Sequence, residues 1–121
     1  GTPSYITKPQ LGAYIAQYAE RFGVSRTDAA LALGQTQWAN SLANRALEID
    51  PDNSHALYQR ACAYAESGSV EEALRDLQSA IERSESLRVL AGRDQSFESL
   101  HDNERFNALV VMPVEEDDSK A

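Results

Sequence analysis

Shifting the chain against itself by thirty-four residues lays Gly34 on Gly68, Ala39 on Ala73, Ala46 on Ala80, Leu47 on Ile81 and Glu48 on Glu82. Most of the matching residues are small or apolar and lie inside helix-like segments, where a stacked unit cannot alter its side chains without losing its neighbour. The offset is a packing signal, and it points to a scaffold of repeated units within the 121 residues.

The residues between the matches predict helices. Thr7-Lys8-Pro9-Gln10 is a capping box with proline in the first turn, where its missing N–H does no harm. Leu11, Tyr14, Ile15, Tyr18, Ala19 and Phe22 follow at three- and four-residue steps on one stripe, up to Gly23 as a left-handed stop. Ser25 to Asp28 starts a short second helix with Ala29, Ala30, Leu31 and Leu33, ending at Gly34. Thr36 is the expected cap of a third, in which Ala39, Leu42, Ala43, Ala46 and Ile49 share a face. Asp50-Pro51 ends it, because the residue before proline is pushed out of helical geometry. Asn53 caps a fourth helix, Ser54 to Ser67, closed by Gly68.

Ser69-Val70-Glu71-Glu72 reads as a second capping box and opens a fifth helix running to about Arg83. In it Val70, Ala73, Leu74, Leu77, Ala80 and Ile81 form the buried stripe. Glu71, Glu72, Arg75, Asp76, Gln78 and Glu82 are expected outside, with Glu71 and Arg75 as an i,i+4 pair. Beyond Ser86 the register fails. Leu87, Val89 and Leu90, then Phe97 and Leu100, then Phe106, Leu109 and Val110 predict short closing helices, the later two capped by Asp94 or Ser96 and by Asp102. The organisation is a covering helix over 1–24, a repeat domain with a cap over 25–110, and a tail over 111–121 whose acidic, patternless composition predicts disorder.

Charge and length narrow the function. The formal charge is −8, of which Glu115 to Lys120 supplies a net −3, leaving −5 on the body. A negative body repels phosphate, so nucleic acid is not an expected partner. No apolar run approaches the roughly 20 residues that cross a bilayer, so no membrane span is expected. The single cysteine, Cys62, permits no intrachain disulfide and fits a reducing, cytoplasmic setting. The start at Gly1, without a methionine or a charged-then-apolar leader, reads as an excised or mature fragment rather than a secreted precursor.

The stretch from Asn40 to Ile81 places Leu57, Ala61 and Tyr64 on one helix, Gly68 at the turn, and Ala73, Leu77 and Ala80 on the next, with Asp50-Pro51 between units. In these positions the chain resembles the tetratricopeptide repeat family, a stack of helix-turn-helix units of about 34 residues. Ser54 to Leu87 is one full repeat. Glu20 to Asn53 keeps Gly34, Ala39, Ala46 and Pro51 but is degenerate in its first helix, where Thr27 and Ala30 replace the usual glycine and tyrosine. The segment from Leu90 to Val110 looks similar to a closing pseudo-repeat. The resemblance covers roughly three quarters of the chain. It implies an all-α fold of antiparallel helix-turn-helix repeats stacked as a short right-handed solenoid. The alanines then matter because small side chains let helices approach to about 8–10 Å.

The fourth helix carries two stripes. Leu57, Ala61 and Tyr64 face the stack, while His55, Tyr58, Gln59, Cys62 and Glu66 repeat on an adjacent face. In the resembled family that second face lines a concave groove where peptide segments dock. The resemblance therefore implies a non-enzymatic adaptor holding a protein or peptide partner at these five residues, with Arg93 added from the following segment; the alternative is a solvated face. The lysine, asparagine and arginine clamp with which some family members hold a C-terminal carboxylate is absent.

Cys62 reads as a small buried apolar residue rather than a reactive thiol. His55 and His101 are too isolated to suggest a metal, and no cofactor is implied. No phosphate-cradling loop or nucleophile with its base can be found, so an enzyme is not expected. Trp38 lies beside the third helix's stripe, in the core or shared with the first helix. A second reading is self-association into a homodimer, with the helix Gln10 to Phe22 covering its own stack or a twin's. A weaker rival is a DNA-binding helix-turn-helix over Ala19 to Leu31, whose recognition helix would have Arg26 as its only basic residue and would carry Asp28.

Overall fold

The structure, a computed structural model, describes residues 7–111. Among them all regular structure is helical: α1 (Lys8–Phe22), α2 (Arg26–Ala32), α3 (Thr36–Ile49), α4 (Ser54–Glu66), α5 (Val70–Arg83), α6 (Ser86–Arg93), a 3-10 helix (Gln95–Leu100) and α7 (Glu104–Val110). The tail expected to be disordered, from residue 112 onward, lies outside the described residues.

The thirty-four-residue offset holds at the level of backbone geometry. Gly34 and Gly68 turn the chain at φ 73° and 88°, conformations that cost an L-side chain energy. Directly after each glycine the same hydrogen bond closes the turn, Gln35 N–H to Ala30 O and Ser69 N–H to Tyr64 O, both 2.8 Å. The helices that follow end alike, at Asp50 (φ −141°, ψ 96°) and Ser84 (φ −147°, ψ 100°). The next turns also match, Asn53 N–H to Asp50 O at 3.1 Å and Leu87 N–H to Ser84 O at 3.0 Å. The repeated unit thus runs from Ala30 to Asn53 and again from Tyr64 to Leu87, one residue beyond the Ser86 at which sequence similarity stops.

Two apolar clusters hold the stack. Ile15 and Ala19 of α1 bury against Ala29 and Ala30 of α2, Ala39 of α3 and Ala63 of α4. Gly12 admits α1 close to the indole of Trp38, where an added Cβ would lie 3.1 Å from the ring. The first helix therefore covers its own chain's stack. The larger cluster joins Leu57, Tyr58, Ala61, Cys62 and Ala65 of α4 to Ala73, Leu74, Leu77, Ala80 and Ile81 of α5. Phe97 and Phe106, with ring centroids 5.6 Å apart, close its far side.

Several local expectations are corrected. Tyr14 and Phe22 are more than half exposed, because α1 has neighbours on one side and its stripe is wider than that contact. Ile49, at the last turn of α3, is 86% exposed, since the helix runs past its partners before Asp50-Pro51 stops it. Gln35 and not Thr36 precedes the first turn of α3, and Ser69 occupies the capping position of α5 without its side chain bonding the turn. Asn103, not Asp102, caps α7. Glu71 pairs with Arg105 at 2.8 Å rather than with Arg75.

The largest departure is Asp76, expected outside and in fact 5% exposed. Arg60 of α4 grips it with two bonds, Nε to Oδ2 at 2.6 Å and Nη2 to Oδ1 at 2.9 Å, and donates a third to Asn44 Oδ1 of α3 at 2.9 Å. Donating these hydrogen bonds to Asp76 raises the guanidinium's pKa further and keeps it charged. One side chain thus links α3, α4 and α5.

Candidate functional site

Asn53 starts α4 by accepting from Ala56 N–H, which sets the phase of the helix and turns His55, Tyr58, Gln59, Cys62 and Glu66 to one side. This side is not a solvated face. Tyr58, Gln59 and Cys62 are 4%, 5% and 2% exposed, since the chain builds a wall along each flank.

The first wall is the start of α2. Ser25 caps that helix by accepting from Asp28 N–H at 3.0 Å. Gln59 Nε2 donates to both Ser25 Oγ (3.2 Å) and Asp28 Oδ1 (3.0 Å). The other Asp28 oxygen stands 3.9 Å from His55 Nε2. The second wall is the turn after α6. Tyr58 donates its hydroxyl to Asp94 Oδ2 at 2.7 Å, and Cys62 Sγ lies 3.9 Å from the same oxygen. Asp94 Oδ1 caps the 3-10 helix through Ser96 N–H, and Ser96 Oγ donates to Glu66 at 2.6 Å. Behind this turn Phe97 meets the Tyr58 ring edge-on at 5.7 Å between centroids.

Between the walls lies a cleft of about 280 Å³ floored by Tyr58, Gln59 and Cys62, with Leu31 and Leu90 as apolar flanks. It adjoins a shallower depression lined by Leu31, Glu66, Asp94, Ser96 and Glu98. Asp28, Glu66, Asp94 and Glu98 give the combined surface four carboxylates, and among the described residues neither lining contains a lysine or arginine. Burial, then the bond to Asp94, pushes the Tyr58 hydroxyl far above its ordinary pKa. Burial, then the nearby Asp94 charge, does the same to the Cys62 thiol. Both remain protonated, so Tyr58 is a fixed donor and Cys62 a poor nucleophile. Among the described residues no cluster of side chains fits a metal ion.

Of the six residues singled out from the sequence, four line the cleft and Glu66 lines its extension. Arg93 is exposed and lines neither, because α6 ends there and the chain turns into the 3-10 helix. Asp28, Leu31, Leu90, Asp94 and Ser96 were missed. Two of them carried a readable signal: Asp28 and Ser96 lie thirty-four residues before and after Cys62, so the offset places all three at equivalent positions. The helix entertained for DNA reading is α2, which buries Thr27, Ala29 and Ala30 in the stack.

Comparison with known proteins gives one match: residues 42–75 fit the family model described as Tetratricopeptide repeat. No curated protein and no solved structure matches the chain. The matched span runs from the middle of α3 through α4 into α5, and so contains the floor of the cleft but neither of its walls.

Proposed function

From the premise that this is a tetratricopeptide repeat protein, we propose that it is a non-enzymatic scaffold that holds a segment of a partner protein in the cleft between α2, α4 and the turn after α6. Repeats of this family serve generally in protein–protein interaction. The observation that carries the reading is the preformed, sided cleft: apolar flanks at Leu31 and Leu90, a floor locked by hydrogen bonds, and four carboxylates without a cation. Tyr58, Gln59 and Cys62 act as the floor, and contact falls to His55, Glu66, Leu90 and Ser96 at the rim. A segment offering an apolar side chain beside a lysine or arginine complements that surface. No helix among the described residues is long and apolar enough to cross a membrane.

The test is a crosslinking pull-down from the native source with Leu90→Glu and Glu66→Lys variants. Both positions are exposed, so the fold persists. Loss of the captured partner in both variants is expected, and unchanged capture overturns the cleft as the docking site. A second reading is self-association, favoured by the exposed Tyr14, Phe22 and Val24 at the α1 end of the stack. Light scattering across concentration, with Phe22→Glu as control, separates a dimer from a monomer.

A further inference from the structure

A larger cleft shares no residue with the one just described. It has a volume of about 670 Å³ and lies between α1 and α3, over the start of α2. Its floor is apolar, with Ile15, Trp38 and Leu42, and the Gly12–Trp38 approach fixes its shape. Its rim carries Lys8, Arg26 and Arg45, and among the described residues no aspartate or glutamate lines it.

This is unusual for a chain of charge −8. Elsewhere four arginines are matched to carboxylates, Arg60 to Asp76, Arg83 to Asp52, Arg88 to Glu85 and Arg105 to Glu71, while among the described residues Arg21, Arg75 and Arg93 stand singly. Lys8, Arg26 and Arg45 have no such partner among the described residues. Three cations gathered around an apolar floor, with the ion-pairing carboxylates placed elsewhere, make a surface that attracts a short anionic ligand with an apolar part. A long polyanion meets repulsion from the acidic remainder of the chain.

We infer that this cleft binds an acidic peptide segment of a partner protein, seating an apolar side chain against Trp38 and Leu42 while its carboxylates pair with Arg26, Arg45 and Lys8. The protein would then dock two segments of opposite charge at separate sites. The second site is independent of the first, and neither reading needs the other.

Trp38 is the only tryptophan in the chain, so its emission reports occupancy of the cleft directly. The experiment titrates the full chain with a blocked octapeptide of alternating glutamate and leucine, and with its glutamine counterpart. The acidic peptide is expected to change Trp38 emission saturably, with affinity falling as salt rises. The glutamine peptide, and the Arg26→Gln/Arg45→Gln double variant, should each bind roughly tenfold or more weakly, as expected for lost charge-assisted bonds. Both arginines are exposed, and an unchanged helical circular dichroism signal confirms that the variant folds. No saturable change, equal binding of the glutamine peptide, or indifference to the arginine changes overturns the inference. So does tighter, arginine-dependent binding of a single-stranded oligonucleotide, which assigns the site to nucleic acid. A further arm deletes residues 112–121: if deletion alone moves Trp38 emission and strengthens peptide binding, the occupant is the chain's own Glu115–Asp118 run and the partner-protein inference fails.

Discussion

Replacing Arg60 by leucine tests the polar link between the helices. The change leaves the Asp76 carboxylate, whose side chain is 7% exposed, without either of its guanidinium bonds. Stranding one member of a buried pair costs about 3–5 kcal/mol, and the lower figure applies here because Arg60 itself is partly open to water. Unfolding entropy of about 2.1 cal/mol/K per residue gives about 0.25 kcal/mol/K for 121 residues, so a loss of 3 kcal/mol lowers Tm by about 12 °C. Asp76→Leu strands the other member, but Arg60, a quarter exposed, can turn its guanidinium outward, so a smaller cost of about 1–2 kcal/mol is expected. The double variant restores a matched interior and should return to within about 1 kcal/mol of the parent. Urea unfolding followed by circular dichroism, at constant m-value, yields all corners of the cycle. If the single changes each cost less than about 0.5 kcal/mol and add without coupling, the link contributes nothing and the reasoning fails.

Four further outcomes follow from packing and from the cleft. Ala80→Leu, at a fully buried position between α4 and α5, should destabilise by about 1–3 kcal/mol, and an unchanged melting midpoint would reject the helix register. Tyr58→Phe removes the donor to Asp94 and should cost about 1–2 kcal/mol in denaturant unfolding while keeping the ring's contact with Phe97. Cys62 should resist iodoacetamide at about pH 8 until urea unfolds the chain, and rapid labelling of the native protein would contradict its burial. Its native thiol keeps a proton that the unfolded chain loses near pH ~8.5, so stability falls as pH rises above that value, and Cys62→Ala should flatten the slope.

The parts of this fold that could be read in advance are those where the constraint lies in the backbone or in a helix's own period. Gly34 and Gly68 must turn left-handed, Ala39 and Ala73 must admit a neighbour, and Thr7 finds its capping partner three residues away. Asp76 illustrates the limit. On its helix it falls among the polar positions, and only Arg60, sixteen residues earlier on another helix, explains why it goes inside. The cleft divides in the same way. Spacing alone gathered His55, Tyr58, Gln59, Cys62 and Glu66, but the burial of Tyr58, Gln59 and Cys62 depends on walls supplied by Asp28 and Asp94 from other elements. Arg93 occupies the position thirty-four residues after Gln59, and it missed the cleft because the helix stopped beneath it.

In a linear array each member touches only those beside it, and the ends can open while the middle holds. Here α4 touches α2, α3, α5 and the 3-10 helix, so the pieces on either side share one central pillar. Removing that pillar takes Leu57, Tyr58, Ala61, Cys62 and Ala65 from the larger cluster and leaves α1 to α3 with only a small core around Ile15, Ala29, Ala30 and Ala39. The chain should therefore melt in one step, and a protease that cuts within α4 should release fragments with no residual order.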